Sequence, residues 1–146
     1  MKRKDLSEGL DFKQDPSVLL TATAKVYWQT GKIIRLDIIR GSEIEAKHVN
    51  EYMDAVRLHC NGQPRFGLID ARGNWTMVKE AREMMSVNET IRNMNACAFI
   101  VDLLAIRLIV NFFIREGKLE SSVKVFGDES TALEWLNKKA SGEKTS

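Results

Sequence analysis

The sequence predicts a single α/β domain with a mixed, mostly parallel sheet. Three observations carry this prediction: a hairpin pattern comes first, apolar strand-like runs then alternate with helix-like segments, and no linker, repeat or low-complexity block interrupts them. The chain has 146 residues, 44% of them hydrophobic, which is enough for one well-filled core. We expect the domain to span residues 18–139, with a flexible lead-in at residues 1–17 and a flexible tail at residues 140–146.

The predicted elements follow in the order β-β-α-β-α-β-α-β-α. Residues 19–28 alternate in part between apolar and polar side chains, Thr30 and Gly31 form a turn, and residues 33–39 are β-rich, which together predicts an antiparallel hairpin. The later elements are a helix through residues 49–60, a strand at 65–70, a helix from about Thr76 to Met84 with a further turn at 87–92, a strand at 96–101, a helix at 103–114, a strand at 123–126 and a final helix capped by Asp128.

The charges of the chain are nearly balanced. Lys and Arg total 22, Asp and Glu total 20, and the excess of two positive charges falls in the segment from Lys138 onward. A nucleic-acid-binding protein needs a basic face that neutralises phosphates. We therefore expect no nucleic-acid partner.

The sequence predicts neither export nor a membrane span. The basic residues 1–4 are followed by acidic residues where a signal peptide has an apolar stretch. The most lipophilic stretch, residues 96–114, contains Asp102 and Arg107, each of which costs about 2.5–3.5 kcal/mol at the centre of a bilayer. We expect a cytoplasmic protein without an integral membrane segment.

Two loops at the carboxyl edge of the predicted parallel sheet carry the candidate binding residues. Loops at this edge adjoin helix N-termini, whose partial positive charge favours polar ligands. One loop follows the strand that ends at Asp70, and the other begins at Asp102 and leads into the next helix. In a simpler interpretation, Asp70 and Asp102 cap helices or pair with Arg72 or Arg107, and Thr76 is a helix cap. The candidates are Asp70, Arg72, Asn74, Thr76, Asp102, Arg107 and Asn111.

The sequence lacks the usual catalytic groupings. His48 and His59 are eleven positions apart on one predicted helix, about 16 Å, so they cannot share a metal ion or a proton. Cys60 adjoins His59, but neighbouring side chains on a helix diverge. Cys60 and Cys97 lie far apart within apolar runs, which predicts reduced, buried thiols. The sequence contains no zinc motif or Gly-rich phosphate loop, so we expect no enzyme, metal or cofactor.

The predicted helix at residues 103–114 has more apolar surface than packing on a sheet requires. Arg107, Asn111 and Arg115 form one polar stripe at four-residue spacing, and nearly every other position is apolar. A neighbouring helix, a second subunit, or a lipid-like ligand or membrane surface must cover the excess.

Several motifs resemble those of a known family. They are Leu-Ile-Asp-Ala-Arg-Gly at residues 68–73, Val-Lys-Glu-Ala-Arg at 78–82, Arg107 with Asn-Phe-Phe at 111–113, and Val-Phe-Gly-Asp-Glu at 125–129 followed by Ala-Leu-Glu-Trp-Leu at 132–136. The sequence resembles small uncharacterised bacterial proteins of the SpoIIAA-like, or STAS, fold, also described as STAS/SEC14-like. The resemblance covers roughly residues 19–138 and implies this fold, but it implies no activity because the family has none assigned.

The resemblance also bears on regulation. In anti-sigma-factor antagonists of the wider fold, a partner kinase phosphorylates the second serine of an Asp-Ser-Ser-Gly motif, and the added charge releases a complex. Here the Asp-x-x-Gly sequence at residues 70–73 matches the end of the corresponding strand. The residues that stand where the Asp-Ser-Ser-Gly motif is expected are close to Val-Lys-Glu-Ala at 78–81, which contains no serine. Glu80 would supply only a fixed charge, and Thr76 is the nearby hydroxyl. We expect a protein-binding surface without the phosphorylatable serine.

Two functions remain open at this point. The preferred one is a non-catalytic regulatory or protein-binding module, with an unknown protein or a second copy as partner and with residues 70–76 and the helix of Arg107 as the contact surface. The competing one, in the manner of SEC14-like proteins, is a carrier or sensor of an apolar small molecule. Met77, Met84 and Met85 would line its pocket, and Arg107 would meet an acidic head group. An enzyme would need Asp70 and Asp102 close together in a pocket.

Overall fold

The computed structural model of the chain describes residues 18–142. The predicted lead-in, residues 1–17, and the last four residues of the predicted tail lie outside the described residues. The strands are β1 (Leu19–Leu20), β2 (Ala24–Trp28), β3 (Ile33–Ile38), β4 (Glu43–Ile44), β5 (Phe66–Asp70), β6 (Thr76–Met77), β7 (Ala96–Ile100) and β8 (Val123–Phe126). The helices are α1 (Ala46–Cys60), α2 (Lys79–Ser86), α3 (Glu89–Arg92), α4 (Leu104–Glu116) and α5 (Glu129–Ala140).

The main sheet has six strands in the order β1-β2-β3-β5-β7-β8. β2 is antiparallel to both of its neighbours, β1 and β3, whereas β3, β5, β7 and β8 are parallel, each joined to the next by a helical connection. Leu36, Ile69, Phe99 and Val125 stand side by side across these four parallel strands. The predicted fold class, a mixed and mostly parallel sheet opened by a hairpin, is confirmed.

Helices cover both faces of the sheet. On one face, α1 and α4 pack on the sheet and α2 packs against both of these helices, with Met53, Ala81 and Phe113 among the buried side chains. On the other face, α5 packs on β5, β7 and β8 through Ala132 and Leu136. The first turn of α5 consequently lies at the carboxyl edge of the parallel strands.

Two details differ from the sequence prediction. The predicted first strand is divided, because Thr21 turns the chain: its Oγ1 accepts hydrogen bonds from the N–H groups of Thr23 and Ala24, at 3.2 and 2.9 Å. Thr76 does not begin a helix. It lies in β6, where its N–H donates to the carbonyl of Ser42 at 2.9 Å, and β6 pairs with β4 in a second, two-stranded sheet. Helix α2 begins at Lys79 instead.

The predicted helix ends agree with the structure at three places. Helix α1 stops at Asn61, whose backbone is left-handed at φ +52°. Helix α4 stops before Gly117. The Asp128 carboxylate accepts the N–H of Thr131 at 2.8 Å, so Asp128 caps α5 as predicted.

Candidate functional site

The two predicted loops meet at the carboxyl edge of the parallel strands. Asp70 is the last residue of β5, and Asp102 comes two residues after the end of β7. The Asp102 Oδ1 atom accepts the N–H of Gly73 at 2.9 Å and thereby joins the loops. Gly73 has φ +91°, a conformation that favours glycine, and a Cβ here would touch the Arg40 side chain.

Asp70 is held by two arginines. Arg72 donates to it from its backbone N–H, from Nε and from Nη2, at 3.1, 2.9 and 2.6 Å. Arg35, from the neighbouring strand β3, donates from Nη2 at 3.0 Å. The pairing of Asp70 with Arg72 is the one that the simpler interpretation of the sequence anticipated; Arg35 was not among its candidates.

Arg35 is the centre of a larger ionic network. Its side chain is only 8% exposed, and it also contacts Asp37 at 2.7 Å and Glu129 at 3.1 Å. Gln29 accepts from Arg35 Nη1 at 2.8 Å, and the Tyr27 hydroxyl donates to Asp37 at 2.7 Å. Arg72 also reaches Glu129, at 3.2 Å.

The predicted site residues do not include Arg35, Asp37 and Glu129, although the sequence contains a signal for two of them. Arg35 and Asp37 stand at alternate positions of an otherwise apolar run, so they share one face of the strand. A buried strand with a cation and an anion on one face indicates an internal ion pair. Glu129 carries no such signal, because its place depends on how α5 packs.

The network keeps the carboxylates of Asp70 and Glu129 ionised at neutral pH. Burial by itself raises the pKa of Asp70, but the hydrogen bonds and charge of Arg72 and the charge of Arg35 outweigh it, so the pKa lies below its usual value. The hydrogen bond from Arg35 likewise lowers the pKa of Glu129. Burial, together with the hydrogen bond to Asp37, raises the pKa of the Tyr27 phenol. These groups form a structural cluster of two arginines and three carboxylates, in which the Tyr27 phenol is neutral.

A surface cavity of about 520 Å³ opens beside the network. Its charged lining side chains are three cations and three anions: Lys25, Arg40, Arg72, Asp37, Asp70 and Asp102. Asp70 and Asp102 therefore share one cavity, as a carboxylate pair would require. Both oxygens of Asp70, however, are engaged by guanidinium groups, and one oxygen of Asp102 holds the Gly73 backbone.

The remaining candidates do not line this cavity. Asn74 and Thr76 have exposed side chains, and both contribute backbone hydrogen bonds, the carbonyl of Asn74 accepting the N–H of Gly41. Arg107 is half-buried and Asn111 exposed, one and two turns along α4. Neither Asp70 nor Asp102 pairs with Arg107.

Part of the apolar surface of α4 remains uncovered. Ile106, Val110 and Phe113 are buried against the sheet and α2. Leu104, Leu108 and Phe112, which we call the α4 stripe, are 71%, 61% and 39% exposed. A neighbouring helix thus covers only some of the excess that the sequence predicted.

The interior offers little room for a ligand. Met77 and Met85 are buried and line an apolar cavity of about 20 Å³, while Met84 is half-buried. A cavity needs at least about 10–15 Å³ of such space to hold a water molecule, so this one has room for about one. A lipid-sized molecule would require α1, α2 and α4 to separate from the sheet, so the carrier function stays a prediction.

The histidines and cysteines have separate surroundings. His48 is buried, and its Nδ1 accepts the N–H of Glu45 at 2.9 Å at the start of α1. Cys97 is buried and Cys60 half-buried, and both are free thiols. Within residues 18–142 no cluster of His, Cys, Asp and Glu has the arrangement of a metal site. None of the helices in this range is both long and apolar enough to cross a membrane.

The architecture places the chain among proteins of the SpoIIAA-like fold. The structure is similar to that of an uncharacterised protein of the DUF3478 family from Shewanella loihica PV-4, described as having a SpoIIAA-like fold. The TM-score is 0.56 and the sequence identity 12%, and the match covers 77% of this chain and 91% of the other. The predicted SpoIIAA-like fold is thereby confirmed.

The sequence itself identifies the family. Residues 27–140 match the model of a domain of unknown function, DUF7793, and the chain belongs to this family. A comparison with curated protein sequences finds no match.

Proposed function

We propose that this protein is a non-catalytic, regulatory protein-binding module that binds through the α4 stripe. The main observation that supports this proposal is the exposure of Leu104, Leu108 and Phe112, which are spaced four residues apart along one helix. Large apolar side chains that are contiguous and exposed in a folded domain mark surfaces for association. Arg107, Asn111 and Arg115 border the stripe and supply a polar rim, as in protein interfaces.

The ionic network supports a non-catalytic role. A general acid or base must exchange a proton with a substrate and needs a pKa near the working pH. The pKa of Asp70 is instead lowered, and its oxygens are occupied by Arg35 and Arg72. We infer that the network holds β3, β5 and α5 in place.

The proposed module works without a phosphoserine switch. Residues 70–85 contain no serine, and Glu80 in the first turn of α2 has a permanent charge. Binding would then be controlled by the amount of protein or partner. We place this activity in the bacterial cytoplasm, in keeping with the sequence resemblance.

The partner that we propose is a second copy of this chain. If two α4 helices pack antiparallel about a two-fold axis at Leu108, Leu104 of each copy meets Phe112 of the other. Asp102 precedes the start of α4 and Arg115 lies near its end, so this arrangement also brings unlike charges together at both ends. The surface is thus complementary to itself in shape and charge.

Light scattering coupled to size-exclusion chromatography tests the proposal. We expect the wild-type chain to be a dimer at about 100 µM and Leu108→Glu to be a monomer, because the variant sets two carboxylates against each other on the axis. Arg115→Glu should weaken the dimer about tenfold, since each partner then loses an opposite charge.

The matched control is Leu58→Glu, which puts the same charge on an exposed leucine of α1. We expect it to remain a dimer, with a melting temperature close to that of Leu108→Glu. A wild-type monomer at the same concentration, or equal dissociation of the two glutamate variants, contradicts the proposal.

A further inference from the structure

A second large cavity lies at the opposite edge of the sheet from the ionic network. Its volume is about 540 Å³, within the range of small-molecule sites. It is bounded by the turn between β2 and β3, the chain between α1 and β5, the start of β7 and the end of α5. None of the charged residues of the first cavity lines it.

The charged walls of this cavity are of one sign. Lys32, Arg65 and Lys139 line it, and no acidic residue of the described chain does. None of these three cations forms an ion pair with a carboxylate within residues 18–142, although Lys139 also lies 5.7 Å from the ring centre of Trp135. The cavity therefore has unneutralised positive charge.

The other polar features do not cancel this charge. Helices α1 and α5 end here, and two helix C-termini together are equivalent to about one negative charge. Burial raises the pKa of the Cys60 thiol on the wall to about 11, so the thiol is neutral at pH 7. Three full positive charges exceed these contributions, which favours an anion.

An aromatic side chain adds a second kind of contact. Trp28 lines the cavity, is 39% exposed and stacks on His59 with ring centres 6.1 Å apart. An indole supported on one side by a second ring is a rigid platform for a planar group. Phe66 adds apolar wall at the start of β5.

We propose that this cavity binds a small organic anion that carries an aromatic ring. Its carboxylate or phosphate group would lie among Lys32, Arg65 and Lys139, and its ring would contact Trp28. The proposal is independent of association through α4, because it uses neither α4 nor the carboxyl edge of the sheet.

Isothermal titration calorimetry of the full chain tests the proposal with AMP, flavin mononucleotide and indole-3-acetate as probes. We expect at least one to bind with a Kd below about 1 mM. If AMP binds, adenosine and inorganic phosphate, which each lack one half of the recognised chemistry, should bind at least about tenfold more weakly.

Variants locate the binding to this cavity. For the probe that binds, Lys32→Glu and Arg65→Glu should each raise the Kd about tenfold or more. Trp28→Ala should raise the Kd about fivefold through loss of stacking. Lys47→Glu is the control: it makes the same charge change on α1, thirteen residues and about 20 Å before Cys60, and should leave the Kd unchanged.

The outcomes are distinguishable. Failure of all three probes to bind, or an equal loss of affinity in Lys47→Glu and Lys32→Glu, overturns the proposal. Thermal melting of each variant shows whether it is folded. If Lys32→Glu does not fold, the Kd of Arg65→Glu provides the test of the positively charged wall.

Discussion

Arg35 shows how a single buried charge organises one end of this domain. It comes from the middle of the sheet, opposite Tyr27 on β2 and Leu68 on β5, and it is nearly excluded from water. A buried guanidinium is tolerated only when its charge and its donors are satisfied. Asp37, Asp70 and Glu129 satisfy them, and each comes from a different element.

Removal of this cation should be costly. We expect Arg35→Met to lower the free energy of unfolding by about 3–5 kcal/mol at pH 7, because it leaves partly buried carboxylates with Arg72 as the remaining cation of the network. Arg57→Met, which removes an exposed arginine 3.7 Å from Asp54, should change it by less than about 0.5 kcal/mol. Urea denaturation measures both, and equal losses would contradict the role given to Arg35.

At the scale of elements, the close approach of α4 to the end of α2 depends on one glycine. Gly117 ends α4, and a Cβ added to it would overlap the carbonyl oxygen of Ser86, the last residue of α2. Its φ of −85° is accessible to any residue, so the requirement for glycine here comes from packing and not from backbone conformation.

Gly117→Ala should therefore destabilise the protein by about 1–3 kcal/mol through overpacking. Gly127→Ala is the matched control, because a Cβ there meets no atom within 4 Å and should change the stability by less than about 1 kcal/mol, in the stabilising direction. Thermal or urea unfolding compares the two. A neutral Gly117→Ala would show that α2 and α4 move apart without cost.

At the scale of the whole molecule, the two edges of the sheet have different characters. At the carboxyl edge, anions and cations are interleaved and neutralise each other around Asp70. At the opposite edge, the charges that line the cavity are all positive. The exposed α4 stripe is a third, apolar surface, so the proposed association and anion binding do not compete for the same residues.

The network also sets how the whole fold responds to acid. The pKa values of Asp70 and Glu129 are lowered in the folded chain, from ordinary values of 3.8 and 4.5. Below these ordinary values the unfolded chain binds more protons than the folded one, so the stabilisation present at neutral pH is lost as the pH falls through the lowered pKa values.

We therefore expect the urea midpoint to be constant from pH 7 to about pH 5 and to fall steadily below it. In Arg35→Met the fall should be shallower, because the main cause of the lowered pKa of Glu129 is absent. Midpoints measured at closely spaced pH values give both profiles. Parallel profiles for wild type and variant would contradict this linkage.

The alternation of apolar periods was sufficient to predict the fold class and the excess apolar surface of α4, and residue type predicted the end of α4 at Gly117 and the cap of α5 at Asp128. These features follow from local spacing, and a helix with apolar residues on most of its positions cannot bury them all against one sheet. The loop of Asp70 and its pairing with Arg72 were equally accessible, because the two residues are neighbours in the chain.

The centre of the site depends on contacts between distant parts of the chain. Arg35 meets Asp70 from 35 positions away and Glu129 from 94 positions away, and β4 pairs with β6 across the whole of α1. Such pairings depend on strand register and on how the helices pack. The residues next to each partner in the sequence do not determine either of these. The contacts of Arg35 with Asp70 and Glu129 therefore become visible only once the sheet and α5 are assembled.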